Sequence, residues 1–309
     1  MATTESPLAG LSAAAKTAAA EAGPSTVAIG RHARGAGVVV APDRVLTNAH
    51  NLRDRTTLVT FADGRAVQGR VVGTDPDHDL VVLEVETAGA PALAWSGQPL
   101  DAGDIAFAVA RSLHGLRVTF GLVSAVGRSF RGPRGRRVNG AVEHSAPLAR
   151  GSSGGPLVDE DGHLVGLNTH RLGEGFYLAQ PADEDLRRRV DQLVAGTHLG
   201  GRRLGVAIVA ADESARLRRR VGLPPQDGLL VRGVVDGSPA AAAGIDGGDL
   251  ITAVAGRPVA DVDDLWDALD EAGDEAEVEV LRGTDTRTVT VSFVAPAAAT
   301  EATEEPTTD

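Results

Sequence analysis

STVAIG (25–30), GAGVVVA (35–41), RVLTNAH (44–50), TTLVTFADG (56–64), AVQGRVVGTD (66–75) and DLVVLEVE (79–86) follow one another with few residues between them. Each run is short, rich in Val, Leu and Thr, and bounded by Gly, Asp, Pro or Asn, the pattern of β-strands joined by tight turns. A second series follows: DIAFAVA (104–110), RVTFGLVSAVG (117–127), GAVEHSAP (140–147), GPLVDEDGHLVGLNTH (155–170) and GFYLAQP (175–181). Many short strands at this spacing suit an all-β sandwich or barrel. The split near Gln98-Pro99 makes two barrels the expected arrangement.

Outward from this β-rich block the texture changes. Residues 7–22 (PLAGLSAAAKTAAAEA) have high helix propensity and stop at Gly23-Pro24. Residues 182–196 (ADEDLRRRVDQLVAG) read as a helix capped by Asp183, with acids in its first turn and Gly196 beyond its end. Residues 201–294 read as a separate α+β unit, with strands LGVAIVA, GLLVRGVV, DLITAVAG, AEVEVLRG and RTVTVSFV and helices near SPAAAAG and DVDDLWDALDEAG. The expected division is an N-terminal helical segment (1–24), a β-barrel domain (25–182), a linker helix (183–200), the α+β domain (201–294) and a disordered acidic tail (295–309).

Composition narrows the function. The 309 residues suit about two domains. Aromatics make up 3% of the chain, so Val, Leu, Ile and Ala must fill the cores. The net charge of −12 sets the chain against nucleic acid and anionic membrane partners. Cysteine is absent, which removes disulfides and thiolate metal sites. No apolar stretch is long enough for a transmembrane helix, and Met1 to Gly23 lack the basic and apolar regions of a signal peptide. A cytoplasmic location is expected if the chain is complete.

The chemistry centres on Gly151-Ser152-Ser153-Gly154-Gly155-Pro156-Leu157. A Gly-rich tight turn that carries a serine lets two backbone N–H groups, those of Gly151 and Ser153, converge beside the hydroxyl as an oxyanion site. VLTNAH ends a strand on His50, and DPDHDLVVL sets Asp79 directly before a strand of buried type. The order His, Asp, Ser, with spacings of 29 and 74 residues, matches the chymotrypsin arrangement. Ser152, Asp77 and His78 compete for the same roles; the G-x-S-G-G register favours Ser153 and the adjoining strand favours Asp79.

The segments VLTNAH, DPDHDLVVLEV, FGLVSAVGR, GSSGGPLVDEDGHLVGLNT and GFYLAQP resemble the successive motifs of the HtrA family of trypsin-like serine proteases. DGSPAAAAGIDGGDLITAVAGRPVADVDDLWDAL resembles that family's PDZ domain. The resemblance implies a chymotrypsin-like double β-barrel followed by a PDZ domain, acting without metal or organic cofactor on unfolded polypeptides. It implies Ser153 as nucleophile, His50 as general base and Asp79 as the group that orients it, with the Gly151 and Ser153 amides as oxyanion hole. Ser152 stands where the family usually carries Asn. Pro147 and Leu148 occupy the expected pocket floor, with Thr169 and Arg171 on the opposite wall; no acid is present, which argues against cleavage after Arg or Lys. Arg203, Leu204, Gly205 and Val206 resemble the loop that binds a peptide C-terminus, with VAIVA (206–210) and the helix at 262–272 as groove walls. Family members usually form trimers through aromatic residues near the N-terminus, and residues 1–29 contain none. Arg128, Arg131, Arg134, Arg136 and Arg137 read either as a sensor loop or as a solvated basic loop. The competing functional reading is a PDZ scaffold that binds peptides without cleaving them.

Overall fold

The computed structural model describes residues 7–293 apart from 133, 134, 136 and 210, and the chain divides into two units at Gly200/Gly201. Arg134, Arg136 and the tail from Ala295 lie outside the described residues.

The first unit opens with α1 (Pro7–Ala22). Strands β1 (Thr26–Ile29), β2 (Gly35–Ala41), β3 (Arg44–Asn48), β4 (Thr56–Thr60), β5 (Ala66–Asp75) and β6 (Leu80–Glu84) close into a barrel in the order β1-β2-β3-β6-β5-β4. Strands β7 (Ile105–Ser112), β8 (Gly115–Arg131), β9 (Arg137–His144), β10 (Pro156–Val158), β11 (Leu164–Gly173) and β12 (Phe176–Pro181) close a second, in the order β10-β11-β12-β9-β8-β7. Full closure leaves neither barrel with an unpaired edge.

Branched aliphatic residues fill the cores, as the scarcity of aromatics requires. Val27, Ile29, Val39, Val45, Val59, Val81 and Leu83 pack inside the first barrel. A separate cluster joins Val38, Leu46, Leu80 and Val82 of the first barrel to Phe107, Val109, Leu164 and Leu167 of the second. The same strands serve both clusters because successive side chains point to opposite faces.

The helix α2 (Glu184–Val194) belongs to this shared core. Asp183 caps it by accepting from the Leu186 N–H at 2.9 Å, and Leu186, Val190 and Leu193 are buried against residues of both barrels. The segment expected to link the domains is thus docked on the first of them. α1 is anchored in the same way: Ala18 and Ala22 are fully buried in that cluster, and Arg111 donates to the carbonyls of Gly23 and Thr26, each at 2.7 Å.

The second unit contains β13 (Val206–Ile208), α3 (Ala211–Arg220), β14 (Leu229–Val234), α4 (Pro239–Ala242), β15 (Leu250–Val254), β16 (Arg257–Pro258), α5 (Val262–Glu271), β17 (Glu275–Arg282) and β18 (Asp285–Ser292). Its sheet runs β13-β14-β15-β17-β18, with β16 beside β15. α5 opens with a capping box in which Asp261 and Asp264 exchange bonds with each other's backbone N–H. Leu265, Ala268 and Leu269 turn its apolar face onto Ile251, Val254 and Val278. Asp249, almost fully buried at 1% exposure, is held by Arg282 at 2.7 and 2.8 Å. Burial raises its pKa, but the guanidinium outweighs this and the carboxyl stays below its ordinary value.

Candidate active site

His50 lies in a single 3₁₀ turn (Ala49–Asn51) that follows β3, and Asp79 stands directly before β6, the neighbour of β3 in the barrel. Strand pairing therefore brings together two residues 29 positions apart. Asp79 is fully buried and accepts twice from His50, at 2.9 Å from its backbone N–H and at 2.5 Å from Nδ1. Its own backbone is tied down as well: the Asp79 carbonyl accepts from Ala49 N–H at 2.9 Å and from Asn48 Nδ2 at 3.1 Å. The residue sits at φ +59°, a left-handed conformation that Asp tolerates better than most. This geometry fixes the imidazole with Nδ1 toward the carboxylate and leaves Nε2 as the nitrogen for other work.

His78, the competing base, is engaged elsewhere. His78 Nδ1 lies 3.0 Å from Asp75, which also pairs with Arg189 at 3.1 Å. Burial raises the Asp75 pKa, yet His78 and Arg189 outweigh it and hold the carboxyl below its usual range. The His78 carbonyl accepts from Gln180 at 2.7 Å, joining this turn to the second barrel. Ser152 is buried and its N–H donates to Ala149.

Ser153 arrives from the second barrel, on the turn before β10. Its carbonyl accepts from Ala36 N–H at 2.8 Å and from Asn51 Nδ2 at 2.9 Å, so the residue next to His50 holds the residue that carries the hydroxyl. Gly154 N–H donates to the Asn168 carbonyl, and Asn168 Nδ2 donates to the carbonyls of Gly155 and Pro156. Two glycines are required sterically. At Gly151 (φ +84°) a Cβ would lie 2.3 Å from the Ala33 oxygen; at Gly154 (φ +83°) it would lie 2.4 Å from the Ala36 oxygen. The Ser153 hydroxyl donates to the Thr169 carbonyl at 3.0 Å, and no described hydrogen bond joins it to His50.

Two family models match the chain: one described as a trypsin-like peptidase domain, over residues 35–167, and one described as a PDZ domain, over residues 203–293. A Synechocystis protein, HhoA, is 33% identical over 256 residues, 77% of this chain and 64% of that one. The periplasmic serine endoprotease DegP of Escherichia coli is 31% identical over 240 residues, 74% of this chain and 49% of that one. The solved HtrA-type protease AlgW with decapeptide superposes with a TM-score of 0.62 over 90% of this chain and 97% of that one; at 23% identity this likeness is one of fold.

This chain belongs to the HtrA family. It spans about two-thirds of the length of one of these curated relatives and about half of the other. No described helix of this HtrA protein is long and apolar enough to cross a membrane.

Around the HtrA serine turn, the residues expected to form the specificity pocket lie on two segments, the 147–148 stretch before the turn and strand β11. Pro147 is exposed, and its carbonyl accepts from Thr119 at 2.7 Å. Leu148 packs against the second-barrel cluster that includes Val142, Leu157 and Ala179. Thr169 is buried on β11. Arg171 folds onto Tyr177, its guanidinium 5.4 Å from the ring centre and donating to the hydroxyl at 3.1 Å. That bond is the main reason the Tyr177 hydroxyl is more acidic than usual.

Three residues beside the site escaped the sequence reading. Asn51 bridges the two barrels, as described above. His170, the neighbour of Thr169, packs edge-on to His50 at 6.2 Å and also lies 4.8 Å from the Phe130 ring. Burial keeps His170 below its ordinary pKa; the Asp79 charge works against this and His50 adds to it. His144 is fully buried behind the turn, stacked 5.9 Å from Tyr177 with Nε2 3.0 Å from Asn168 Oδ1; burial pushes its pKa down to about 4, with the Asn168 contact opposing. Only the run NAHN (48–51) held a hint, since an Asn directly after a candidate base is placed to serve it.

The described arginines of the cluster lie on strands. Arg128 and Arg131 belong to β8 and Arg137 to β9, paired through Arg131↔Arg137 and Phe130↔Val138, with Arg128 bonded to Glu143 at 3.0 Å. In the PDZ unit Leu204 is buried, while the carbonyls of Leu204 and Gly205 accept from Ala240 and Val235, each at 2.9 Å. No described hydrogen bond uses the N–H of Leu204 or Gly205. Val206 begins β13, the edge strand of the sheet, and the Arg203 guanidinium lies 5.6 Å from the centre of the Trp266 ring on α5. No group of acidic or histidine side chains suited to a metal occurs among the described residues.

Proposed function

We propose that the chain is an endopeptidase that hydrolyses peptide bonds through Ser153, His50 and Asp79. The observation that carries this reading is the His50–Asp79 pair, a buried carboxylate on Nδ1 at 2.5 Å, tied through Asn51 to the carbonyl of Ser153. Ser153 Oγ attacks the scissile carbonyl, and His50 Nε2 takes the hydroxyl proton and returns it to the leaving amine. Asp79 stabilises the imidazolium that forms between. The N–H groups of Gly151 and Ser153 receive the oxyanion. The hydroxyl reaches His50 by turning about χ1, away from the Thr169 carbonyl that it occupies in this resting arrangement.

The segments proposed as walls of the specificity pocket, Pro147–Leu148 and Thr169–Arg171, contain no carboxylate, which supports cleavage after residues other than Arg or Lys. The substrates proposed are unfolded polypeptides, since an extended chain can run beside the stretch of β11 past Leu167, which pairs with β12 but not with the short β10. The unused N–H groups of Leu204 and Gly205 beside the edge of β13 support capture of peptide C-termini by the PDZ unit; AlgW, of the same fold, holds a decapeptide.

One observation favours the alternative of a non-cleaving peptide-binding scaffold: the Ser153 hydroxyl is bonded to Thr169. Labelling with a fluorophosphonate probe separates the two readings. Labelling that disappears in Ser153→Ala is the expected result, together with a loss of casein cleavage of about 10⁶-fold. No labelling in the presence of denatured protein and C-terminal peptides would overturn the protease reading in favour of the scaffold.

A further inference from the structure

A cavity of about 960 Å³ lies against the oxyanion turn and takes no part in the chemistry described so far. Arg31, His32 and Arg34 on the β1–β2 hairpin, Arg53 after the His50 turn, and Arg150 beside Gly151 line it. Asp54 is the one carboxylate among the lining residues. Arg31, Arg34, Arg53 and Arg150 are exposed, and none of them has an ion pair among the described residues. A chain with a net charge of −12 therefore places four unpaired guanidinium groups beside its candidate oxyanion site.

The position of the cavity tells which part of a substrate reaches it. A carbonyl held by the Gly151 and Ser153 N–H groups sends its acyl chain along the Thr169–Arg171 wall and its leaving amine the other way. The cavity is lined by Arg150 and Gly151 but by no residue of the 147–148 or 169–171 walls. The hairpin that forms its side is packed on the turn so closely that a Cβ on Gly151 would meet the Ala33 oxygen. It lies, then, on the leaving-group side of Ser153.

We propose that this cavity binds acidic side chains of the substrate at the two or three residues that follow the scissile bond. Planar guanidinium groups match carboxylates in paired hydrogen bonds, and four of them converging on a concave surface interact more strongly than isolated surface charges. The inference rests on the protease reading and assigns selectivity to residues that neither hold nor activate the nucleophile.

The test is cleavage of a peptide library by the full chain, with each of the three positions after the scissile bond carrying Asp, Ala or Lys in turn. The expected result is a kcat/KM for Asp over Lys of about tenfold or more at low salt, falling as salt screens the cavity. In the Arg31→Glu/Arg53→Glu double variant the Asp-to-Lys ratio, taken within that variant, should invert; in the milder Arg31→Gln it should shrink. Ser153-dependent cleavage with equal rates for Asp and Lys, or a wild-type preference for Lys, overturns this inference and leaves the protease reading standing. Absence of any Ser153-dependent cleavage overturns the protease reading and this inference with it.

Discussion

The two barrels contribute to the candidate active site in different ways. The first supplies His50 and Asp79 as a finished unit: the carboxylate is buried, both of its oxygens accept from one histidine, and its carbonyl is held by Ala49 and Asn48. The second supplies Ser153 on a turn whose backbone is as firmly held, by Ala36, Asn51 and Asn168, but whose hydroxyl bonds to Thr169. The backbone on both sides is therefore fixed, and the two halves differ in the side chains: one pair is already joined and one hydroxyl is bonded elsewhere. Under the proposed mechanism, Ser153 has to turn its hydroxyl from the Thr169 carbonyl toward His50, a side-chain torsion that crosses between staggered wells at small cost.

That contrast can be broken on the side of the first barrel by Asp79→Asn. Asparagine tolerates the same left-handed backbone, so the barrel should fold, while the imidazole loses its carboxylate and its tautomer. A fall in kcat of about 10⁴-fold with an unchanged circular dichroism spectrum is expected. A fall of tenfold or less would mean that His50 does not rely on Asp79.

On the side of the second barrel, Gly151→Ala attacks the turn without touching the nucleophile. The added methyl collides with the Ala33 oxygen at a positive φ, so the N–H of Gly151 must move away from its aim. A loss of about 10²–10³-fold in kcat, the usual effect of losing one oxyanion donor, is expected, with fluorophosphonate labelling slowed in parallel. Unchanged kinetics would remove Gly151 from the oxyanion site.

The smallest effect sharpens the comparison through stability. His144 in the folded chain takes up a proton only near pH 4, whereas in the unfolded chain it does so near its ordinary 6.5. Between these values the unfolded state binds the proton and the folded state does not. Stability should therefore fall as pH drops from about 6.5 to 4, by on the order of 3 kcal/mol at full extent. Denaturant titrations across this window should show a shallower slope in His144→Gln. Equal slopes in the two proteins would mean that His144 is not held neutral behind the serine turn.

Much of the site was legible because each motif is local. VLTNAH and DLVVLEVE announce strands that end or begin on a functional side chain, and GSSGG announces a turn that only glycine can make. What stayed hidden depends on long-range pairing. Asn51 is one position from the candidate base, but its bond to the Ser153 carbonyl exists only because the second barrel lies against the first. His170 was passed over because β11 alone gives no sign that its end faces His50. The arginine-rich stretch reads as a loop from its Gly and Pro content; pairing of β8 with β9 draws Arg128, Arg131 and Arg137 into a ladder. The 184–194 helix shows its own boundaries through Asp183 and Gly196, but not that Leu186, Val190 and Leu193 find their partners on the barrels.

Sequence by itself determined the strand runs, the turn glycines, the order of His50, Asp79 and Ser153 and the PDZ-like second unit, since these follow from local periodicity, backbone freedom and residue chemistry. Tertiary structure alone decided that His78, the competing base, is paired with an Asp75 that Arg189 also holds. It alone turned the Ser153 hydroxyl toward Thr169 and gathered Arg31, Arg53 and Arg150 from three separate segments into one cavity. The physical reason is the same in each case: hydrogen bonds and fields act over a few ångströms of space, and only barrel closure determines which distant residues come that close.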